Sequence, residues 1–343
     1  MDLKEVQAAA GATFDEAGVA VSFNNEEHAL AAIDNGVAIC DRSHWGIIKI
    51  TGSDRLRYLH NQSTNDFESL KPGKGCDTVF VTSTARTLDL ATAYAMEDAV
   101  IVLVSPHRRQ QLLAWLDKFI FPFDKVELED ISAKHAVFSL IGTQSGNLLT
   151  KLTTDELPHT SADHKIVKIG NIPVRVAVGS GLATSGYSLI LETANSGVIW
   201  SKLVKEEAIP LSDRLWESLR IQQGRPKSDF ELTEDYNPLE AGLWQTISFE
   251  KGCYIGQETI ARLHTYDGVK QKLWGIKLSK PAALQTPITI EDKKVGVLTS
   301  YTDTDRGCYG LGYIRTKVGG EGLQVRVGEA KGEVVSVPFI THK

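Results

Sequence analysis

The chain has 343 residues, of which 42% are hydrophobic and 23% are charged. These proportions are typical of a globular protein with two or three cores, and the length excludes a single small domain. The formal net charge of −6 excludes a global basic field, so we expect neither a nucleic-acid partner nor a membrane partner.

The cysteines exclude the common metal and disulfide patterns. Four are present and lie far apart in the sequence, at Cys40, Cys76, Cys253 and Cys308. Because no C-x-x-C pair and no zinc-like Cys/His spacing occurs, we expect no metal site and a reducing compartment. The amino terminus lacks the features of a signal or transit peptide, so a plastid or mitochondrial protein would have lost its targeting segment.

The predicted elements of the first half form an α+β unit of β-α-β-β-β-α-β order. Its strands are expected at residues 46–51, 78–83, 87–95, 100–104 and 126–131. A helix capped by Ser53 follows the first strand, and the pair Ser105-Pro106 is typical of the start of another helix. This unit is predicted to be one sub-domain, spanning residues 46–131.

Strands and one more helix are predicted in the following region. Residues 135–200 are strand-rich, with a hairpin in which Gly170 joins the runs 165–169 and 172–178. A helix is expected from Ser212 to Gly224, followed by an irregular polar segment that ends near residue 250. The flanking remainder of residues 1–242 is therefore predicted to be a second α+β sub-domain.

The carboxyl-terminal region is expected to be all-β. From Gln271 onward the chain shows short alternating strands separated by glycines, which predicts a small β-barrel. The fold class is α+β, and the predicted domains are 1–242, a loop and linker at 243–270, and the barrel at 271–343.

The densest functional chemistry lies in the segment Lys251-Gly252-Cys253-Tyr254-Ile255-Gly256-Gln257-Glu258. Two glycines four residues apart predict a bent loop, and a lysine beside the cysteine would favour a reactive thiolate. A lone cysteine is also common as a buried small apolar residue, and spacing alone gives the two interpretations equal weight.

This segment matches every position of K-G-C-Y-[IV]-G-Q-E, the signature of the YgfZ-type branch of the glycine-cleavage T-protein (aminomethyltransferase) superfamily. Residues 36–43, 51–54, 219–224 and 238–243 resemble shorter patterns of the same superfamily, in the same order. Residues 75–82 and 84–87 resemble its plastid and cyanobacterial-type members.

The resemblance implies an aminomethyltransferase-like three-domain cloverleaf around a tetrahydrofolate pocket, with a carboxyl-terminal β-barrel. It implies a folate-binding protein that helps to assemble or repair iron–sulfur clusters in client enzymes. Cys253 would be the reactive or partner-engaging group and Lys251 its helper. The implied compartment is a bacterial cytoplasm or the chloroplast stroma, with the mitochondrial matrix ranked lower.

The resemblance also implies individual site residues. The residues implied for the folate are Asn65, Asp66, Asp89, Arg220 and Gln222. Lys251 and Arg262 flank the signature near Cys253, and this clustering indicates that both could bind a polyglutamate tail of the folate. Arg220 is expected on a helix surface, where it could bind a folate carboxylate or only be solvated.

Two departures from the superfamily pattern bear on activity. The pattern that aminomethyltransferases share has two adjacent aspartates, and Leu90 stands at the position of the second one. Leucine cannot transfer a proton. Gln222 stands where the L-R-L-E-A-G pattern has a carboxylate, so a pterin would be held differently.

Three functions therefore stay open. The first is an accessory protein without conventional turnover. The second is a folate-dependent aminomethyltransferase or demethylase that uses Asp89. The third is a scaffold whose pocket binds no folate.

Overall fold

The computed structural model describes residues 1–342, which divide into two compact units. Unit 1 contains residues 1–55, 70–76 and 92–217. Unit 2 contains residues 56–69 and 77–91 and the chain from residue 218 onward. The division into 1–242, 243–270 and 271–343 stays a prediction.

The described residues contain eight α-helices. Their bounds are α1 Leu3–Ala9, α2 Glu26–Asn35, α3 Arg55–Gln62, α4 Arg109–Asp117, α5 Ser145–Leu152, α6 Ser196–Lys205, α7 Asp213–Gln223 and α8 Gln257–Thr265. The predicted helix start at Ser212 is confirmed, because its hydroxyl accepts a hydrogen bond from the backbone N–H of Leu215 at 3.3 Å. The same helix ends before Gly224, whose φ of +84° suits glycine.

The first thirteen strands lie before α7. Their bounds are β1 Thr13–Phe14, β2 Ala20–Ser22, β3 Ala38–Asp41, β4 Gly46–Thr51, β5 Gly75–Val81, β6 Thr87–Ala95, β7 Ala99–Val104, β8 Glu127–Asp130, β9 His135–Ile141, β10 His164–Ile169, β11 Ile172–Val178, β12 Gly186–Glu192 and β13 Ile209–Leu211. The predicted bounds of the strands at 46–51 and 87–95 are confirmed without change.

Two larger sheets are built from these strands. One is five-stranded with the order β5-β6-β7-β4-β8, and β7 supplies six consecutive buried apolar residues to it. The other is six-stranded with the order β10-β11-β12-β9-β3-β13 and belongs to unit 1. Its core contains the fully buried Trp200 of α6, which packs edge-on against Phe138 of β9.

Unit 2 ends in the predicted β-barrel. Its strands are β14 Gln271–Leu278, β15 Pro287–Ile290, β16 Lys293–Thr304, β17 Gly307–Arg315, β18 Gln324–Val327 and β19 Ala330–Val335. They close in the order β14-β17-β16-β15-β18-β19 because β14 pairs with both β17 and β19. The expectation of an α+β fold with a carboxyl-terminal barrel is confirmed.

The sequence patterns missed some elements. The short strand β15, with only four residues, was not predicted, and neither were the helices and strands before residue 46. The helix expected at Ser105-Pro106 begins only at Arg109, after a turn in which Arg108 N–H bonds Ser105 O at 3.1 Å. No helix in the described part of the chain has the length and apolarity needed to cross a membrane.

Candidate functional site

The signature segment 251–258 forms a loop of unit 2 that leads into α8. Gly256 is the N-cap of this helix and has a left-handed φ of +82°. A Cβ atom at Gly256 would lie 2.8 Å from the carbonyl oxygen of Thr82 and 3.1 Å from the Cα atom of Ala85. Both residues belong to the turn between β5 and β6. Glycine is therefore required for the loop to pack this closely against that turn.

Lys251 fixes the start of the loop. Its side chain is buried, and its Nζ atom donates hydrogen bonds to the carbonyl oxygens of His60, Ser63 (2.7 Å) and Asn65 (2.8 Å). An ammonium group has three N–H donors, and each faces a carbonyl. Lys251 therefore has a structural role in the loop, and its expected role of activating the Cys253 thiol stays a prediction.

Tyr254 anchors the middle of the loop. Its ring is buried in an apolar cluster with Trp244, Ile247 and Ile260, and the ammonium of Lys251 lies 4.5 Å from the ring centroid. Burial raises the pKa of Tyr254 to about 12, so the phenol stays protonated at neutral pH. Tyr254 is thus a fixed apolar anchor with a protonated hydroxyl.

Cys253 lies between these two buried anchors and is itself exposed, as is Gly252. The expected alternative of a buried structural cysteine is wrong for this position. The Nε2 atom of His60 lies 3.5 Å from the point where a Cβ atom on Gly252 would stand. This distance is an ordinary van der Waals contact, so the buried imidazole of His60 packs beside the backbone next to the thiol.

His60 is oriented by an acidic neighbour. Its Nδ1 atom lies 3.0 Å from Oδ1 of Asp66. Partial burial raises the pKa of Asp66, but hydrogen bonds from Ser69 and the nearby imidazole lower it more, so the net pKa is below its usual value. The Asp66 carboxylate therefore holds the imidazole ring of His60 in one orientation.

The remaining candidate residues, Gln257, Glu258 and Arg262, lie in the first and last turns of α8. Glu258 is exposed in the first turn, where a negative charge interacts favourably with the helix dipole. Arg262 is exposed in the last turn, where a positive charge is favourable. Gln257 is half-buried, and its backbone N–H bonds Tyr254 O at 3.2 Å.

Asn65 is occupied by its own loop. Its side-chain Nδ2 donates to the carbonyl oxygen of Asp77 at 2.7 Å, and its Oδ1 accepts from the N–H of Asp66 at 2.8 Å. The Asn65 amide therefore shapes the turn that carries Asp66, while the Asp66 carboxylate is partly exposed beside His60.

Asp89 and Leu90 are neighbours on β6, but Asp89 contacts a polar group and Leu90 contacts apolar side chains. The carboxylate of Asp89 is fully buried and accepts a hydrogen bond from the hydroxyl of Ser228 at 2.6 Å. Leu90 packs in an apolar core of unit 2 with Ile221 and Tyr313. A ligand could reach Asp89 only after a rearrangement of unit 2.

The expectation that Arg220 lies on a helix surface is wrong. Its side chain is 1% exposed, and Nη1 forms an ion pair with Oε2 of Glu231 at 2.9 Å. Nη2 donates to the hydroxyl of Ser300 at 2.8 Å, and Oε1 of Glu231 accepts from the hydroxyls of Thr299 and Ser300. Arg220 therefore joins α7 to β16 through a buried, hydrogen-bonded ion pair.

Gln222 is half-buried on the same helix. Its Nε2 atom donates to the carbonyl and hydroxyl oxygens of Ser218, at 3.4 and 3.2 Å. Within residues 1–342 its Oε1 atom accepts no hydrogen bond, so this oxygen can receive a donor from a ligand.

Sequence reasoning missed the role of two residues. His60 had no metal-ligand partner at a recognisable spacing, and Glu231 lies in the irregular segment after α7. The folded chain identifies them, because His60 contacts Asp66 and Glu231 contacts Arg220 and two hydroxyls of β16. Among the described residues, no group of three or more histidines, cysteines or acids is placed to hold a metal ion.

A family model matches most of this chain. The model described as GCVT N-terminal domain matches residues 3–251. A chloroplastic protein of Arabidopsis thaliana, named as a transferase, is 44% identical over 346 aligned residues, which cover 100% of this chain and 80% of that protein. An aminomethyltransferase of Halalkalibacterium halodurans is 26% identical over 93% of this chain and 91% of that protein.

A solved structure shares the fold. Aminomethyltransferase T of the glycine cleavage system from Bartonella henselae superposes with a TM-score of 0.86 and 18% sequence identity. The superposition covers 98% of this chain and 96% of that one. At this identity the likeness shows the aminomethyltransferase-like fold alone, and this part of the predicted fold class is confirmed.

Proposed function

Because this chain belongs to the family of the GCVT N-terminal domain, we propose that it is a tetrahydrofolate-binding accessory protein for iron–sulfur enzymes. It would support the assembly or repair of clusters in client enzymes. The observation that carries this proposal is the exposure of Cys253 between two buried anchors, Lys251 and Tyr254. A rigid loop that presents a thiol to solvent suits contact with a partner protein.

One polar group near the predicted pterin position, the side-chain oxygen of Gln222, fits a folate. The Oε1 atom of Gln222 is an acceptor that a pterin amino or ring N–H group can use. An amide makes weaker bonds than the carboxylate of the superfamily pattern, so we expect weaker folate binding. When bound, the folate would supply one-carbon carrier chemistry, and Gln222 would only orient the ring.

The thiol of Cys253 would engage the client. A thiolate is both a nucleophile and a metal ligand. The exposed position of Cys253 lets it reach a sulfur or iron atom held by another protein. Lys251 would contribute indirectly, by holding the loop in one conformation.

The rival function is a folate-dependent aminomethyltransferase or demethylase that uses Asp89. The names of the relatives support it, since they are called transferase and aminomethyltransferase. The full burial of Asp89 and its bond to Ser228 oppose it. The similarity to a chloroplastic protein supports the chloroplast stroma as the compartment.

Calorimetric titration with tetrahydrofolate tests the folate part of the proposal. We expect saturable binding by the unchanged protein and by Cys253→Ala, and about tenfold weaker binding by Gln222→Ala, which loses one hydrogen bond to the ligand. Binding that is absent in all three proteins would refute the folate role and favour the scaffold.

Complementation tests the role of the thiol. In cells that lack the endogenous protein, Cys253→Ala should fail to restore the activity of iron–sulfur enzymes, whereas Cys308→Ala in the barrel should restore it. Full activity of Cys253→Ala would contradict the thiol role. One-carbon transfer that disappears in Asp89→Asn would instead establish the rival.

A further inference from the structure

Unit 1 contains a partly open cleft that none of the residues discussed above lines. Its volume is about 380 Å³, and its lining includes isoleucines from three strands, Ile101 of β7, Ile166 of β10 and Ile190 of β12. Ile166 is 55% exposed, so its apolar side chain is accessible to a ligand. The volume lies near the lower end of small-molecule sites, about 300–1,000 Å³, so a compact ligand would fit.

The polar lining of this cleft carries an excess of positive charge. Three basic residues line it, Lys49, Lys134 and Arg175, against the two acidic residues Glu129 and Glu192. Lys134 and Glu129 form an ion pair at 2.7 Å and so neutralise each other. Lys49 and Arg175 then face one remaining carboxylate.

The hydrogen-bond partners of Arg175 are neutral groups. Its Nη1 atom bonds Nδ1 of His164 at 2.8 Å, and its Nη2 atom bonds the sulfur of Met96 at 2.8 Å. No carboxylate within residues 1–342 forms an ion pair with it. Burial, and secondly the guanidinium itself, lower the pKa of His164 to about 4, so the imidazole is neutral and supplies no counter-charge.

A partly buried guanidinium with only neutral partners lacks a counter-ion. Burial lowers the pKa of Arg175, but an arginine side chain in a protein stays protonated. Charges withdrawn from water are normally paired, because the cost of desolvation is otherwise uncompensated. The planar guanidinium is also suited to bind a carboxylate or sulfonate through two bonds.

We propose that this cleft binds a small amphipathic monoanion. The apolar body of the ligand would lie against Ile101, Ile166 and Ile190, and its carboxylate or sulfonate would pair with Arg175. Aromatic and branched aliphatic carboxylates have this chemistry. The proposal does not depend on the folate role, because it rests on residues of unit 1 alone.

Fluorescence titration with two related dyes tests the proposal. Anilinonaphthalene sulfonate has an apolar body and one negative charge, whereas phenylnaphthylamine keeps the aromatic rings without the charge. We expect Arg175→Gln to weaken binding of the sulfonate dye about tenfold or more, the loss of one charge-assisted contact. Binding of the neutral dye should not change. Lys168→Gln, an exposed residue of β10 outside the lining, should bind both dyes as the unchanged protein does.

A second variant covers the case in which Arg175→Gln does not fold. Ile166→Asp alters an exposed side chain, so the fold should tolerate it, and its carboxylate would repel the sulfonate dye and abolish binding. Unchanged sulfonate binding by a folded Arg175→Gln or by Ile166→Asp would overturn the proposal. Equal weakening of both dyes by Arg175→Gln would overturn it as well, since the charge would then have no specific role.

Discussion

Two buried cations of unit 2 are compensated in different ways. The ammonium of Lys251 bonds three backbone carbonyls, and the guanidinium of Arg220 pairs with the carboxylate of Glu231. A carbonyl carries only a partial charge, whereas the carboxylate of Glu231 carries a full one, and Arg220 also donates to the hydroxyl of Ser300. In both cases the partners cannot move away into water, and the loss of either cation should therefore be costly.

Replacement of Lys251 should destabilise unit 2. We expect Lys251→Met to lower the free energy of unfolding by about 3 kcal/mol, because three carbonyls lose their donor in a buried site. Urea denaturation followed by circular dichroism measures this change. Lys270→Met removes an exposed lysine and should change stability by less than about 0.5 kcal/mol. Equal effects of the two substitutions would contradict the structural role of Lys251.

The Arg220–Glu231 pair can be tested by a double-mutant cycle. Arg220→Met should cost about 3–5 kcal/mol, because it leaves a buried carboxylate without its counter-ion. The double variant Arg220→Met with Glu231→Gln should be more stable than Arg220→Met alone. Denaturation of both single variants and the double variant measures the coupling. If the costs of Arg220→Met and Glu231→Gln simply added, the result would argue against the buried pair.

At the scale of elements, the packing of the signature loop against the β5–β6 turn depends on one glycine. Gly256 combines a left-handed φ with close contacts to Thr82 and Ala85. Gly322 has nearly the same φ, +83°, but no heavy atom lies within 4 Å of the point where its Cβ atom would stand. Alanine substitutions at these two positions therefore distinguish two free-energy costs, that of a left-handed backbone and that of a steric clash with the added methyl group.

Alanine substitutions at these glycines should differ. We expect Gly322→Ala to cost about 1 kcal/mol from the left-handed backbone alone. Gly256→Ala should cost about 2 kcal/mol more, because the added methyl group overlaps backbone atoms. Thermal denaturation of both variants measures the difference. Similar losses would mean that the loop can move away from the turn at little cost.

At the scale of the whole molecule, several histidines make stability depend on pH. Burial lowers the pKa of His44, His164 and His342 to about 4, from an ordinary value of 6.5. The unfolded chain therefore binds protons at these sites between pH 6.5 and 4, whereas the folded protein does not. Stability is fully present above pH 6.5 and falls as the pH drops towards 4.

The contribution of His164 can be isolated. The lowered pKa of His164 corresponds to at most about 3 kcal/mol of folding stability. This stability is lost as the pH falls from 6.5 towards 4. We expect His164→Gln to reduce the loss of stability between about pH 8 and about pH 5, measured by urea denaturation. His159→Gln, at an exposed position, should leave the pH dependence unchanged. An unchanged dependence in His164→Gln would contradict a buried neutral imidazole.

The success of the sequence predictions depended on the range of the interactions involved. The strands at 46–51 and 87–95 were predicted with correct bounds, because alternation and apolar runs are local properties of the chain. The strand at 287–290 was missed because four residues give too little periodicity to distinguish a strand from a loop. The predicted site residues met the same limit, since spacing shows which side chains are present but not what they contact.

The sequence by itself determined the α+β class, the barrel, the signature loop and the family. Each of these depends on short-range patterns or on the order of residues. Only the tertiary structure decided that Lys251 bonds carbonyls 186 to 191 residues away and that Arg220 is buried beside Glu231. It also decided that Cys253 is exposed and that Arg175 faces a cleft. The physical reason is that burial and counter-charges come from chain segments brought together only by folding, and no local pattern records them.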